Sequence, residues 1–322
     1  MHTNNGDKVK IRLGYVALSK ALDNITASST ITYTNYISKN YDVKKLINIT
    51  KDNLESLKKI IEYNVKNNFH FYRLTSKLVP LATHNKVDFD YIKPLEGEYK
   101  KIGKIINDNN IRVDTHPDQY AVLNSMDKKI VDNTVEILKY HYNILSAFNI
   151  KKKIILVHVG SSACGKKASI TRFINNFNKL PLHIKETLAL ENDDKTYNLI
   201  DTLSLCKRLN IPMVLDYHHF ICNNDGEKLE DFIKEIMDTW EGINPKFHFS
   251  TPKSKLKKEF RSHNDYINSD DFINFINLLK PYNKDVDIML EAKAKDDAIS
   301  RLVRELKYKT DYEFIDETTF IV

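Results

Sequence analysis

Short apolar runs alternate with longer amphipathic segments along this 322-residue chain. Parallel strands are buried on both faces and so read as continuous apolar runs, whereas the helices between them are apolar on one side only. Eight runs fit the strand pattern, at residues 11–16, 69–74, 112–115, 154–159, 188–191, 213–216, 246–250 and 286–291. The pattern therefore predicts eight strand-and-helix rounds.

Two of the intervening segments show the helical spacing most clearly. Residues 52–67 and 132–148 carry apolar side chains three and four positions apart, namely Leu54, Leu57, Ile60, Ile61 and Val65, then Val135, Leu138, Tyr142 and Leu145. Eight such rounds in a chain of this length predict an α/β fold of the TIM (β/α)8 barrel class, with outer helices. We expect one domain over residues 11–322, preceded by a loose leader at residues 1–10.

An open doubly wound sheet is the competing architecture, and it usually carries a glycine-rich phosphate fingerprint after its first strand. The chain has only 8 glycines and contains neither GxGxxG nor a P-loop. The closed barrel is therefore favoured, and we expect no nucleotide cofactor.

Composition narrows the setting of the protein. Hydrophobic residues make up 42% and charged residues 29%, which is typical of an ordered globular chain. No apolar run approaches the roughly 18 residues of a membrane span, and the amino terminus lacks a signal-peptide core. Cys164, Cys206 and Cys222 are too few and too scattered for a disulfide framework. We expect a soluble, cytoplasmic monomer, and the net charge of +6 indicates a mild preference for polyanions.

Residues 113–125, VDTHPDQYAVLNS, are unusual for a simple connection. Proline cannot donate to a sheet ladder, so His116-Pro117 ends the third strand and leaves His116 at its carboxyl end. Asp118, Gln119 and Tyr120 follow in a loop, where side chains are free to face a ligand.

Polar side chains recur at the ends of six consecutive predicted strands, on the face where barrels of this class carry their chemistry. They are His116, His158, Glu191, Asp216 with His219, Lys246 with His248, and Glu291, and two loops add His84 and His263. Buried charges in such numbers need compensation. Imidazole and carboxylate without thiolate suit manganese, zinc or iron, and the set exceeds the needs of one ion. We expect a cluster of two or three divalent ions, which is typical of phosphoryl transfer.

The chain resembles the UV damage endonucleases of the UvdE type. The resemblance covers nearly the whole sequence and rests on the following segments: IRLGY at 11–15, RLTS at 73–76, HPDQYAVLNS at 116–125, LENDD at 190–194, DYHH at 216–219 and PKFHFS at 245–250. It implies a TIM barrel with a metal cluster similar to that of endonuclease IV. It also implies nicking immediately 5′ to UV photoproducts in double-stranded DNA.

The resemblance further implies individual roles. Glu191 would bridge two ions, with His116 and His158 on one ion and Asp216, His248 and Glu291 on a second. His219 and His263 would hold a third ion, and Mn²⁺ is the favoured metal, with Zn²⁺ as an alternative. Lys246 matches a lysine that is carboxylated in the family, and His84 would lie near it. Glu191, Lys246 and His84 would be the catalytic residues. Gln119, Tyr120 and Tyr15 would contact the lesion, although Ser19 stands where some members have asparagine.

A basic segment follows the seventh predicted strand. Residues 252–261 contain five basic residues against one acid, and Lys253, Lys255, Lys257 and Lys258 are placed to hold DNA phosphates.

We therefore predict a metal-dependent endonuclease whose activated hydroxide leaves 3′-hydroxyl and 5′-phosphate ends. An abasic-site nuclease of the endonuclease IV type, a sugar isomerase of the same fold and a catalytically silent damage-binding protein remain alternatives.

Overall fold

The central sheet of the protein, in a computed structural model that describes residues 8–322, contains ten strands. They are β1 Lys10–Val16, β2 Phe71–Leu74, β3 Arg112–Thr115, β4 Ile155–His158, β5 Leu188–Glu191, β6 Met213–Asp216, β7 Lys246–Phe249, β8 Val286–Leu290, β9 Glu313–Phe314 and β10 Thr319–Ile321. Strands β2 to β8 follow one another in order, and β1 pairs with both β8 and β2. The eight strands thus close into a TIM barrel, as the sequence predicts.

Helices surround the strands. They are α1 Tyr33–Ser38, α2 Val43–Lys66, α3 Glu96–Asp108, α4 Lys128–Ala147, α5 Lys166–Asn178, α6 Leu182–Lys185, α7 Leu199–Leu209, α8 Tyr217–Cys222, α9 Ile233–Asp238, α10 Ser269–Leu279 and α11 Asp296–Lys309. In residues 8–322, three short 3-10 helices cover Lys93–Leu95, Leu229–Asp231 and Lys280–Tyr282. Within the described residues, no helix is both long and apolar enough to cross a membrane.

Most predicted bounds agree with the structure to within two residues, and β3, β5 and β6 agree at both ends. Helix α2 is the main exception, because it begins at Val43 rather than at residue 52. Leu46 and Thr50 continue its buried face, and the Thr50 hydroxyl donates to the Leu46 carbonyl at 2.8 Å. Two polar residues, Thr50 and Asn53, occupy buried positions here, so an apolar count does not detect this part of the face.

The carboxyl-terminal hairpin was not predicted. Strand β10 pairs antiparallel with β1, with Lys10 opposite Ile321, and β9 pairs with β10. Val9 is fully buried and exchanges two backbone hydrogen bonds with Val322. Ordered structure therefore starts before Ile11, and the predicted leader does not extend to residue 10. Its first seven residues lie outside the described part of the chain.

Contacts between residues group the chain into two compact units. The first unit, as far as the structure describes it, comprises residues 8–16, 67–71 and 190–322. The second comprises residues 17–66 and 72–189. Deep in the first unit, the Arg12 guanidinium donates to both carboxylate oxygens of the fully buried Asp287, at 2.6 and 2.7 Å. The prediction of one domain over residues 11–322 stays a prediction.

Candidate metal centre

Three buried side chains of the first unit lie at or near the carboxyl ends of successive strands. Glu191, Asp216 and His248 end or lie near the ends of β5, β6 and β7, and each exposes 1% of its surface or less. Each offers a ligand atom within 4.8 Å of those of the other two, and Glu191 Oε1 lies 2.7 Å from His248 Nδ1. Neighbouring parallel strands bring their carboxyl ends to one face, which is why these three meet.

Three further predicted ligands of the same unit surround this group. Glu291 Oε1 lies 3.3 Å from His248 Nδ1, and His219 Nδ1 lies 3.6 Å from Glu191 Oε1. His263 stands further out, with its Nδ1 3.9 Å from Glu291 Oε2. The structure therefore brings together all the ligands that were predicted in the first unit. We call these six residues the centre.

The electrostatics of the centre suit a cation. Burial opposes protonation of His219, yet the carboxylates of Asp216, Glu191 and Glu291 together raise the pKa of His219 to about 9. Asp216 Oδ2 is buried and accepts no hydrogen bond within the described structure. Such an acceptor is costly to bury without a counter-charge. Oxygen and imidazole donors of this kind fit manganese, zinc or iron.

Asn192, which the sequence analysis did not single out, fixes the geometry of the centre. Its side-chain amide donates to the Asp216 carbonyl at 3.1 Å, and its side-chain oxygen accepts from the Asp216 N–H at 2.9 Å. Its own carbonyl accepts from His219 Nδ1 at 2.9 Å. In the neutral ring this hydrogen bond keeps the proton on Nδ1, so Nε2 is the nitrogen that would ligate a metal. Asn192 follows Glu191 directly, so its position next to a ligand was the available signal.

Lys246 is buried completely within β7. Alternation along the strand places it on the same side as His248, and its Nζ lies 5.4 Å from the centre of the Phe71 ring. A buried lysine is rare unless a partner or a chemical role offsets the cost of its burial. The structure thus places Lys246 on the predicted face of the strand, while its carboxylation and catalytic role stay predictions.

The second unit carries two predicted ligands, His116 after β3 and His158 at the end of β4. Their ring centres are 5.1 Å apart, and His116 Nδ1 donates to the Pro117 carbonyl at 3.0 Å. This hydrogen bond again directs the proton to Nδ1 and prepares Nε2 as a ligand. His141 of α4 was not predicted; burial, and then the charge of His116, lowers the pKa of His141 to about 3, so His141 is neutral.

The turn after His158 requires glycine. Gly160 has a φ of +108°, and a Cβ atom there would clash with Asn124 Oδ1. Asn124 belongs to the conspicuous segment 113–125, and its side-chain amide donates to the Ser161 carbonyl at 2.6 Å. The buried asparagine therefore joins the turn after β4 to the segment that carries His116.

His84 lies in an aromatic stack. Its ring faces that of Tyr33 at a centre distance of 4.1 Å and an angle of 15°, and its Nδ1 accepts from the Lys86 N–H at 3.3 Å. The sequence carries no signal for the Tyr33 contact, because Tyr33, at the start of α1, is far from His84 along the chain. The catalytic role of His84 stays a prediction.

The segment predicted to contact DNA lesions is exposed. Pro117 is buried, whereas Asp118, Gln119 and Tyr120 face solvent, and Tyr120 exposes 76% of its surface. An aromatic side chain in this position is accessible for stacking with a base.

Tyr15 does not have the position that the resemblance implies. It lies on the same face of β1 as Ile11 and Leu13 and is fully buried, with its ring edge against Phe69 at 5.1 Å. Strand alternation directs the side chain into the core. A side chain without exposed surface cannot stack with a base, so the expected lesion contact of Tyr15 is corrected to a packing role. Ser19 is also buried.

The basic segment forms an exposed turn, and Lys255, Lys257 and Lys258 face solvent. Lys253 differs from these three, because its Nζ lies 2.8 Å from Glu259 Oε1. An ion pair partly neutralises its charge, so Lys253 is the weakest of the four predicted phosphate contacts.

A cavity of about 370 Å³ adjoins the centre in the first unit. It is lined by Val16, Ser262, His263, Glu291, Ala292, Lys293 and Lys295. Neither lysine was predicted, although both follow Glu291 closely in the run Glu-Ala-Lys-Ala-Lys. Lys295 has a φ of +55°, which is strained for a residue with a side chain.

The chain is similar to known proteins over most of its length. Residues 11–319 match the family model described as UV-endonuclease UvdE. A UV DNA damage endonuclease of Bacillus cereus (strain 03BB102) is 42% identical over 301 residues, which cover 92% of this chain and 94% of the relative. The crystal structure of SacUVDE superimposes with a TM-score of 0.84 and 34% identity, covering 92% of this chain and 98% of that one. Endonuclease IV from Thermus thermophilus, at a TM-score of 0.57 and 11% identity over the same shares, is similar in fold alone.

Fold and site together define a TIM barrel with a candidate metal centre at the carboxyl ends of its strands. Within that class, the chain belongs to the UvdE family of UV endonucleases.

Proposed function

We propose that this protein is a DNA repair endonuclease that cuts double-stranded DNA immediately 5′ to UV photoproducts, leaving 3′-hydroxyl and 5′-phosphate ends. The observation that carries the proposal is the buried group of Glu191, Asp216 and His248 in a chain of the UvdE family. A sugar isomerase would not need the exposed lysines that follow β7, whereas a nuclease would.

The ligand set is part of the proposal. The six residues of the centre, together with His116 and His158, would hold two or three divalent ions, with Mn²⁺ favoured and Glu191 bridging. Support comes from the TIM-barrel fold, which directs the carboxyl ends of all eight strands to one face. When bound, the ions lower the pKa of a water and neutralise charge on the phosphate.

Other residues of the chain would hold the site in place for this reaction. Asn192 and Asp216 hold each other at the ends of β5 and β6, so the donors are fixed before substrate arrives. Preorganised polar groups of this kind do not have to rearrange as charge develops on the phosphate. Lys246, in its carboxylated form, would add a further anionic group to the site, and His84 would act beside it. The proposal includes a monomer that acts in the cytoplasm.

Cleavage mapping tests the proposal. An end-labelled duplex with one pyrimidine photoproduct is incubated with the protein and Mn²⁺, and polymerase extension of the product detects the 3′-hydroxyl end. We expect one nick directly 5′ to the lesion and an intact undamaged duplex. Equal cutting of both duplexes, or no cutting, would contradict it. A duplex with an abasic site in the same assay determines whether that lesion is a substrate too.

A further inference from the structure

An exposed leucine stands at the tip of the turn that follows β7. Leu256 exposes 68% of its surface, between Lys255 and Lys257 in the sequence. A single exposed leucine is ordinary on a protein surface. Leu256 is unusual because hydrogen bonds within the turn fix its backbone.

Hydrogen bonds within the turn fix the backbone of Leu256. Its carbonyl accepts from the N–H groups of Glu259 at 2.8 Å and Phe260 at 2.9 Å, and its own N–H donates to Ser254 Oγ at 3.1 Å. The Glu259 carboxylate accepts from Lys253 Nζ and from Ser254 Oγ, each at 2.8 Å. These bonds lower the pKa of Glu259, so its carboxylate stays charged at neutral pH. We call the contacts of Lys253 and Ser254 with Glu259 the brace.

The base of the turn is joined to the centre. Pro252 and His263 form a β-bridge, and the Lys253 N–H donates to the Ser262 carbonyl at 2.6 Å. His218, which is fully buried, donates from Nε2 to the Phe260 carbonyl at 2.7 Å and accepts at Nδ1 from Ser250 Oγ at 2.8 Å. The turn is therefore anchored both at a candidate metal ligand and at the end of β7.

Charge around the leucine identifies the kind of partner. Lys255, Lys257 and Lys258 are exposed, while Glu259, the single acid of residues 252–261, is engaged by the brace. The outer surface of the turn thus presents one apolar side chain among cations. A surface of this kind fits stacked bases flanked by backbone phosphates.

We propose that Leu256 is a wedge that inserts between adjacent base pairs and kinks the duplex beside the centre, while the neighbouring lysines hold the phosphates. The inference rests on the proposed function and extends it to a DNA contact that differs from Gln119 and Tyr120. A leucine on a flexible loop would lose much of the gain to ordering, whereas this turn is ordered in advance. Unstacking costs least where a lesion has already weakened the stack, so the wedge favours damaged DNA.

The test compares Leu256→Ala with Leu182→Ala. Leu182 also exposes 68% of its surface, but it starts the short helix α6 without lysines on both sides. Binding is measured on a photoproduct duplex and on undamaged duplex across a series of salt concentrations. Bending is measured by energy transfer between dyes at the two ends of the duplex. Leu256→Met, which keeps an apolar side chain, serves as the rescue variant.

We expect Leu256→Ala to bind the damaged duplex roughly tenfold more weakly and to bend it less, with an unchanged melting temperature and an unchanged salt slope. Leu182→Ala and Leu256→Met should behave as the parent. Parent-like bending by Leu256→Ala would overturn the inference. The inference would also be overturned if Leu256→Ala bound DNA as the parent does but bound anionic lipid vesicles more weakly. The leucine would then contact a membrane surface. Failure of the parent protein to nick the damaged duplex would instead contradict the proposed function.

Discussion

The centre and the turn at residues 252–261 belong to the same unit, yet the main ligands of the centre are buried and the turn is exposed. Glu191, Asp216 and His248 are buried at strand ends, where the sheet itself determines which side chains meet. Lys255 and Leu256 are exposed on a turn whose shape depends on its own side chains. The difference suggests that chemistry depends on the barrel and that contact with DNA depends on the loop. Variants on the two sides should therefore fail in different assays.

The largest effect is expected at the centre. Glu191→Gln keeps the shape of the side chain but removes its charge, so cleavage should fall on the order of 10³-fold while DNA affinity changes little. Cleavage rates and duplex affinities are measured side by side. Glu62→Gln, an exposed glutamate of α2, is the control and should leave both unchanged. Parent-like cleavage by Glu191→Gln would remove this residue from the centre of the site.

The second prediction distinguishes metal binding from lesion contact within residues 116–120 of the second unit. His116→Ala should lose bound metal and cleavage on every substrate. Gln119→Ala combined with Tyr120→Ala should keep the metal but lose roughly 10- to 100-fold in preference for damaged DNA, because stacking contributes about 1–3 kcal/mol per base. The loss should be largest for lesions that distort the helix least. If the double variant also lost metal, the loop would be a structural support of the ligands.

The third prediction concerns salt dependence. Replacing Lys255, Lys257 and Lys258 by alanine should weaken binding to damaged and undamaged duplex alike and reduce the log–log salt slope by about 0.9 per lost phosphate contact. Lys253→Ala alone should change the slope less, because Glu259 already pairs with it. A slope that stays the same in the triple variant would show that the turn does not contact phosphates.

The smallest effect is expected in stability. Lys295→Gly relieves a positive φ that costs about 1–3 kcal/mol, so the melting temperature should rise by a few degrees. Asn283→Gly is the control, because asparagine adopts a φ of +50° at little cost and the melting temperature should change little. A lower melting temperature for Lys295→Gly would show that the lysine side chain stabilises the fold by more than its backbone strain costs.

The strands were predictable because burial on both faces leaves an unambiguous apolar run. Strands β3, β5 and β6 agree with their predicted bounds, and the centre follows from what stands at their ends. The hairpin of β9 and β10 was missed because Glu313–Phe314 and Thr319–Ile321 are too short to show a period. Pairing with β1, which is remote in sequence, stabilises it.

Contacts made by single side chains were harder to predict. Tyr15 matches a known motif, but the alternation of β1 turns it into the core. Asn192 looks like one more polar residue after a strand until its two bonds to Asp216 are seen. Leu256 carries no signal at all in an apolar count. Its significance comes from a brace that joins Lys253, Ser254 and Glu259.

The central claim is that the strand-end side chains hold a cluster of divalent ions. The most direct test is the metal content of the protein after loading with Mn²⁺ and removal of the excess, measured by mass spectrometry of the elements for the parent and for Asp216→Asn. We predict two to three ions per parent chain and a clear decrease in the variant. Less than one ion per parent chain, or equal content in the two proteins, would contradict the account.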